Sequence, residues 1–210
     1  MYRECQIFCD FDGTITKEDT IGAFLNRFAD NRWLEIEKQW KDGEIGSRDC
    51  MKQQLELVRT LSQKELNEFF DSLEIDETFI DFYNETQKRK IPFTIVSDGF
   101  DYFIYNVLRK YKLEGIKVFA NKLEIKNGKF IPVYDDKYKA CKRKSGVCKC
   151  KVVEQETLKG FQTVYIGDGL SDACVSGNIN KVFAKKYLAQ YLSLNNIPYI
   201  EFNTFNDIRI

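Results

Sequence analysis

Three short apolar runs along the chain each end abruptly on acidic, hydroxyl or glycine residues. They are Gln6-Ile7-Phe8-Cys9 before Asp10, Phe93-Thr94-Ile95-Val96 before Ser97, and Val164-Tyr165-Ile166 before Gly167-Asp168. Unbroken apolar runs of this length read as strands buried on both faces, which is the pattern of a parallel sheet. Helical spacing follows two of them, over Phe100 to Lys110 and from Ala173 onward. Lys181–Ala184 and Tyr199–Phe202 read as further strands, with a helical pattern over Tyr187–Leu194 between them. Strand alternating with helix predicts a doubly wound, Rossmann-like α/β core.

Residues 17–89 interrupt that alternation. They carry helical spacing throughout, as in Leu66, Phe69, Phe70 and Leu73, and Ser62 with Glu65 forms a capping-box pattern. The expectation is a helical cap over 17–89, inserted into a core made of 1–16 and 90–210. Leu123–Val133 reads differently. Asn127-Gly128 between two alternating runs predicts a β-hairpin.

Composition then narrows the chemistry. Hydrophobic residues make up 43% of the 210, enough for a packed core. Lys+Arg and Asp+Glu are both 32, so no global charge draws the chain to nucleic acid or an anionic membrane. No run approaches the ~20 apolar residues of a membrane span. Residues 1–10 lack the apolar segment of a secretory signal, so a cytoplasmic protein is expected, as monomer or homodimer. Histidine is absent, which removes Ser-His-Asp hydrolysis and most His-ligated zinc enzymes. No cysteine has arginine six positions later, and no phosphate-binding G-x-x-x-x-G-K-[ST] loop occurs. Any hydrolysis must therefore rest on carboxylates, a lysine and hydroxyls, with or without a metal.

The strand ends supply those groups. In extended chain, residues two apart point to the same side, so Asp10 and Asp12 of Asp10-Phe11-Asp12-Gly13-Thr14 aim near one point. Taken singly, the segment also reads as an Asx-rich loop with a glycine turn. Asp168 and Asp172 of Gly167-Asp168-Gly169-Leu170-Ser171-Asp172 can flank one hard cation, or cap a helix start. Ser97-Asp98-Gly99 offers a hydroxyl and backbone N–H groups at a helix start, suited to phosphate, or an ordinary serine cap. Lys151, opening a predicted helix Lys151–Leu158, can neutralise a phosphoryl oxygen or lie on the surface.

In this order, acid pair, hydroxyl, lysine and second acid pair resemble the haloacid dehalogenase superfamily of phosphohydrolases, over essentially the whole chain. The cap between the first and second motifs resembles one subgroup of it. The resemblance implies Asp10 as nucleophile, Asp12 as general acid/base, and Mg²⁺ held by Asp10, Asp12 and Asp168 with Asp172. It further implies Ser97, Asp98, Gly99 and Lys151 around the phosphoryl group of a small phosphorylated metabolite. Lys144, Lys149 and Lys151 are all near the third motif. Lys151 is preferred because Val152 and Val153 follow it as a helix begins.

Phe8–Thr16, the cysteine segment before Lys151 and Val182–Lys185 resemble the methionine-salvage branch of the superfamily. The phosphoethanolamine/phosphocholine and phosphoserine branches share part of the pattern. In the phosphoserine branch an acid and an arginine, comparable with Asp19 and Arg48, would bind an amino acid's ends. Both also read as solvated cap charges. Cys141, Cys148 and Cys150 form C-x6-C-x-C, readable as reduced thiols, a disulfide, or three ligands of a zinc site lacking an identifiable fourth. Lys137, Lys139, Lys142, Arg143 and Lys144 read as a solvated loop or an anion patch.

Overall fold

The computed structural model describes residues 4–142 and 144–210, so Arg143 of the basic cluster and the first three residues lie outside the description. Seven strands form one sheet in the order β4-β3-β2-β1-β5-β6-β7. The strands are β1 (Cys5–Cys9), β2 (Phe93–Phe100), β3 (Lys117–Lys126), β4 (Lys129–Val133), β5 (Gln162–Gly167), β6 (Lys181–Ala184) and β7 (Ile200–Glu201). All neighbours pair in parallel except β3 with β4. β1 lies at the centre, and Ile7, Phe8 and Cys9 are fully buried, as strands covered on both faces require. The chain first winds outward from β1 through β2 to β3, then returns to β5 on the other side. The strand order thus reverses beside the carboxyl end of β1, where open α/β sheets bind ligands.

Five helices lie between β1 and β2: α1 (Thr20–Phe28), α2 (Trp33–Lys41), α3 (Ser47–Glu56), α4 (Gln63–Ser72) and α5 (Thr78–Lys88). The capping box of Ser62 and Glu65 forms at the start of α4. Entry and exit of the insertion run side by side: Lys17 N–H donates to the Glu74 carbonyl and Asp76 N–H to that of Ile15. The last helix of the 17–89 stretch serves the sheet. Phe79 of α5 sits 5.0 Å from Phe205 and 5.7 Å from Phe93, ring centre to ring centre. The first is anchored as firmly from the other side. Phe24 of α1 meets Phe28, Phe69, Phe103 and Phe130 edge-on at 5.0–5.3 Å. Insertion and sheet therefore share one continuous apolar core.

The hairpin differs from expectation in its extent. β3 begins at Lys117, pairs with β2 at Thr94↔Lys117, and only then runs on to pair with β4. Asn127 and Gly128 both have positive φ (51° and 73°), as a tight hairpin turn demands. The remaining helices are α6 (Asp101–Lys110), α7 (Lys149–Glu156), α8 (Ala173–Ser176) and α9 (Lys186–Leu194). α7 starts two residues before the predicted Lys151, and that offset changes which lysine reaches the sheet. Among the described residues, no helix is long and apolar enough to cross a membrane.

Candidate active site

The carboxyl ends of β1, β2 and β5 converge at the switch point. Asp10 leaves β1 with its N–H bonded to the Ile166 carbonyl of β5, which fixes where its side chain emerges. The carboxyl is 5% exposed, and Oδ1 accepts from the Phe11 N–H at 2.8 Å. Carboxylate oxygens of Asp10, Asp168 and Asp172 all lie within 4.8 Å of one another. Packing three acids so closely needs compensating cations.

Lys149 provides one. Its Nζ stands 2.8 Å from Asp10 Oδ1 and 2.7 Å from Asp172 Oδ1, with the side chain only 2% exposed. Burial favours losing its proton, but the charges of Asp10 and Asp172 outweigh burial and hold the ammonium well above its ordinary value. The sequence-based choice of Lys151 is corrected here. Lys151 Nζ donates to the Lys137 carbonyl at 2.8 Å, away from the acids. Two residues on a helix differ by about 200° in direction, so only one of the pair can face the sheet. The apolar pair Val152-Val153 marks the buried face, and Lys149 shares that face with them.

Asp172 is fully buried, and each of its oxygens accepts twice. Oδ1 takes Lys149 Nζ and the Tyr165 hydroxyl; Oδ2 takes the N–H groups of Asp168 and Gly169. Burial opposes its charge, but Lys149, Tyr165 and Gly169 overcome this and hold its carboxyl below the ordinary range. Asp172 therefore orients Lys149 and the Asp168 loop. Asp168 is 8% exposed and differently engaged. Oδ1 accepts from Thr14 Oγ1 at 2.9 Å and Oδ2 from Lys186 Nζ at 3.1 Å. Tyr165, Thr14 and Lys186 carried no distinguishing signal in the sequence.

For Asp10, burial pushes the carboxyl well above its ordinary value, the Asp172 charge adds to this, and Lys149 offsets part of it. Two lysines, the buried Lys149 and the half-exposed Lys186, face three carboxylates, which leaves net negative charge, and the donors are hard oxygens. That combination fits Mg²⁺, and Asp10, Asp168 and Asp172 are the carboxylates that could hold it. The close approach is permitted at Gly13, whose φ is +71° and where a Cβ would lie 2.4 Å from Asp168 Oδ2.

Asp12 lies beside this group. Oδ1 accepts from the N–H of Thr20 at 3.0 Å and its hydroxyl at 2.5 Å; Oδ2 faces Ser97 Oγ at 3.4 Å. Burial raises its carboxyl above the ordinary value, against the Thr20 hydrogen bonds. Thr20, the first residue of α1, is fully buried and was not legible as a site residue. Ser97 is 1% exposed and accepts from the Gly99 N–H at 2.9 Å. A Cβ at Gly99 would lie 2.6 Å from Asp12 Oδ2, so glycine there keeps this approach open.

Asp98 turns the other way. Its carboxylate accepts from Ser47 Oγ of α3 at 2.6 Å, from the Val147 N–H at 2.9 Å and from Asn121 Nδ2. It latches the insertion to the core. Asp19 lines the cavity above the acids and caps α1, accepting from the Gly22 N–H. Desolvation and the nearby Asp12 charge push its carboxyl up to about 7. Arg48 leaves the site. Its Nε donates to the Ser145 carbonyl, its Nη2 to those of Asp135 and Gly146, and its guanidinium lies over the Tyr134 ring. The cavity itself measures about 660 Å³, with the acids at its floor and Ile21, Leu25, Trp33, Leu34 and Met51 on its walls.

Comparison with known proteins agrees with this geometry. The model of the haloacid dehalogenase-like hydrolases matches residues 7–175. The 2-hydroxy-3-keto-5-methylthiopentenyl-1-phosphate phosphatase of Bacillus cereus (strain AH820) is 28% identical over 207 residues, covering 97% of this chain and 94% of its own. That of Bacillus mycoides (strain KBAB4) is 28% identical over 209 residues, at 97% and 93%. Among solved structures, a substrate-bound phosphoserine phosphatase superposes with a TM-score of 0.72 at 20% identity, covering 99% of this chain and 98% of that one. A phospho-aspartyl intermediate analogue of phosphoserine phosphatase gives 0.70 at 21%, covering 98% and 97%. The chain belongs to the haloacid dehalogenase-like hydrolases and is a phosphatase of that family.

Proposed function

We propose that the protein is a Mg²⁺-dependent phosphomonoester hydrolase working through an aspartyl phosphate on Asp10, with 2-hydroxy-3-keto-5-methylthiopentenyl-1-phosphate as substrate. The observation that carries the reaction is Lys149 held between Asp10 and Asp172, with Asp12 lining the same cavity as Asp10.

Asp10 attacks phosphorus and the ester oxygen leaves. Asp12, raised by burial, delivers a proton to that oxygen, then takes one from the water that cleaves the acyl phosphate. Thr20 holds Asp12 in place for both transfers. Lys149 and the Ser97 hydroxyl, which the Gly99 N–H holds in place, bind the phosphoryl oxygens and stabilise the charge that builds there. Asp10 and Asp168 would hold Mg²⁺, which supplies further charge neutralisation and orients the phosphoryl group.

Two observations favour the methylthiopentenyl substrate. The relatives of that name span nearly the whole chain. The cavity walls are mostly apolar, with Glu37 and Lys41 among them, which suits a largely apolar leaving group, and Arg48 is engaged with three backbone carbonyls instead of facing a carboxylate. Phosphoserine is the second reading, favoured by Asp19 at the cavity rim as a partner for an ammonium group. A substrate panel separates them. It should contain the methylthiopentenyl enol phosphate, phosphoserine, phosphoethanolamine, phosphocholine and sugar phosphates. The enol phosphate should give the highest kcat/KM; a dominant value for phosphoserine overturns the assignment.

A further inference from the structure

The fold answers a question that the cysteine spacing leaves open. Cys141, Cys148 and Cys150 come from the segment before and at the start of α7, and Cys174 comes from α8. Cys150 Sγ lies 3.2 Å from Cys174 Sγ, and the Cys141 side chain neighbours that of Cys148. The thiols of Cys174, Cys148 and Cys141 all act electrostatically on Cys150. All four are partly buried thiols, and Cys148 and Cys150 pack against the small apolar cluster of Tyr138, Val147, Val153 and Val175.

We propose that Cys141, Cys148, Cys150 and Cys174 form a tetrathiolate site for Zn²⁺, separate from the carboxylate site. Four sulfurs from two chain segments are the donor set of a closed structural zinc centre. Tetrahedral zinc places its sulfurs about 3.8 Å apart. The Cys150–Cys174 pair already stands within that span. Among the described residues, only the carboxylate group has all its donor atoms within 4.8 Å, so metal binding draws the Cys141–Cys148 pair inward onto the other. The thiols lose their protons as zinc binds, giving the site a net charge of about −2. Lys137, Lys139, Lys142, Lys144 and Lys151 lie in the same stretch of chain.

The position gives the site a purpose. Cys148 and Cys150 flank Lys149, and Cys174 follows Asp172 by two residues. A metal joining these sulfurs clamps the two backbone segments whose side chains form the Lys149–Asp172 ion pair. The zinc is thus a positioning element, 

and its presence does not depend on the substrate or reaction proposed above. The full chain should be incubated with Zn²⁺ under reducing conditions, desalted and analysed for metal. About one Zn²⁺ per chain is expected. Co²⁺ in its place should give strong sulfur-to-metal charge-transfer bands and the visible spectrum of tetrahedral coordination. Cys150→Ser and Cys174→Ser should lose the metal while keeping the wild-type circular dichroism, and Cys5→Ser should retain it. Absence of stoichiometric zinc from the wild type overturns the proposal, as does retention of zinc in Cys174→Ser. A Cys150–Cys174 disulfide-linked peptide in the protein isolated without reductant overturns it too.

Discussion

Lys149 Nζ stands 2.8 Å from Asp10 Oδ1, with both side chains more than nine-tenths buried. A lysine buried against a buried carboxylate is a demanding arrangement energetically, since each charge depends on the other for compensation. Lys149→Met should lower kcat by about 10²–10³-fold. It should also cost about 3–5 kcal/mol of stability, because Asp10 and Asp172 stay behind unpaired. Lys151→Met should remain within about twofold of wild type in both respects, as a surface change does. Comparable losses in the two variants, measured by kcat and thermal unfolding, would contradict the assignment of the lysine.

Asp12 predicts a pH effect with a definite sign. Burial raises its carboxyl, and the Thr20 hydrogen bonds work in the opposite direction by favouring the ionised form. The acid must be protonated for an alkoxide to leave, so kcat for alkyl phosphates should fall as pH rises through the raised value. Thr20→Val removes one of those hydrogen bonds, so the alkaline limb should move to higher pH. Asp12→Asn should lose about 10²–10⁴-fold on alkyl phosphates. The loss should be smaller on p-nitrophenyl phosphate, whose leaving group needs no proton. Unchanged alkaline limbs in Thr20→Val would remove Asp12 from the acid role.

Arg48 gives a prediction about specificity. Its guanidinium binds three carbonyls of the segment 135–146 and covers Tyr134. Arg48→Ala should therefore lower the unfolding temperature by a few degrees, about 1–2 kcal/mol, and leave KM within about twofold. A tenfold rise in KM with unchanged stability would return Arg48 to the substrate.

Gly13 predicts a metal defect. A methyl group there would lie 2.4 Å from Asp168 Oδ2, on a backbone with φ of +71°. Gly13→Ala should displace Asp168 and weaken Mg²⁺ by about 10–100-fold. Titration calorimetry with Mg²⁺ checks this without reference to turnover. Chelation of Mg²⁺ should abolish wild-type activity and re-addition should restore it; activity that survives chelation contradicts the metal requirement.

The sequence made some of this visible and concealed the rest for physical reasons. Asp10 and Asp168 directly follow β1 and β5, Asp12 lies just beyond Asp10, and Ser97 follows the apolar run of β2, so their location towards the sheet's carboxyl edge followed from the pattern. Lys149 was hidden because three lysines lie close together, and only the true start of α7 decides which faces inward. A sequence does not reveal that Asp98 accepts from Ser47 or that Arg48 donates to the loop before α7; only the fold brings these partners together. Thr20 and Tyr165 escaped notice since buried hydroxyls have no pattern of their own. Cys174 lies 24 residues from Cys150 in sequence, and only folding brings it to the cysteine segment.

The central claim is that Asp10 carries the phosphoryl group. It is tested most directly by acid-quenching the enzyme during turnover and reducing it with borohydride, which converts an acyl phosphate to an alcohol. Peptide mass analysis should find homoserine at position 10, dependent on Mg²⁺ and on substrate, and absent from Asp10→Asn. Homoserine at another acid, or full turnover by Asp10→Asn, would contradict the account.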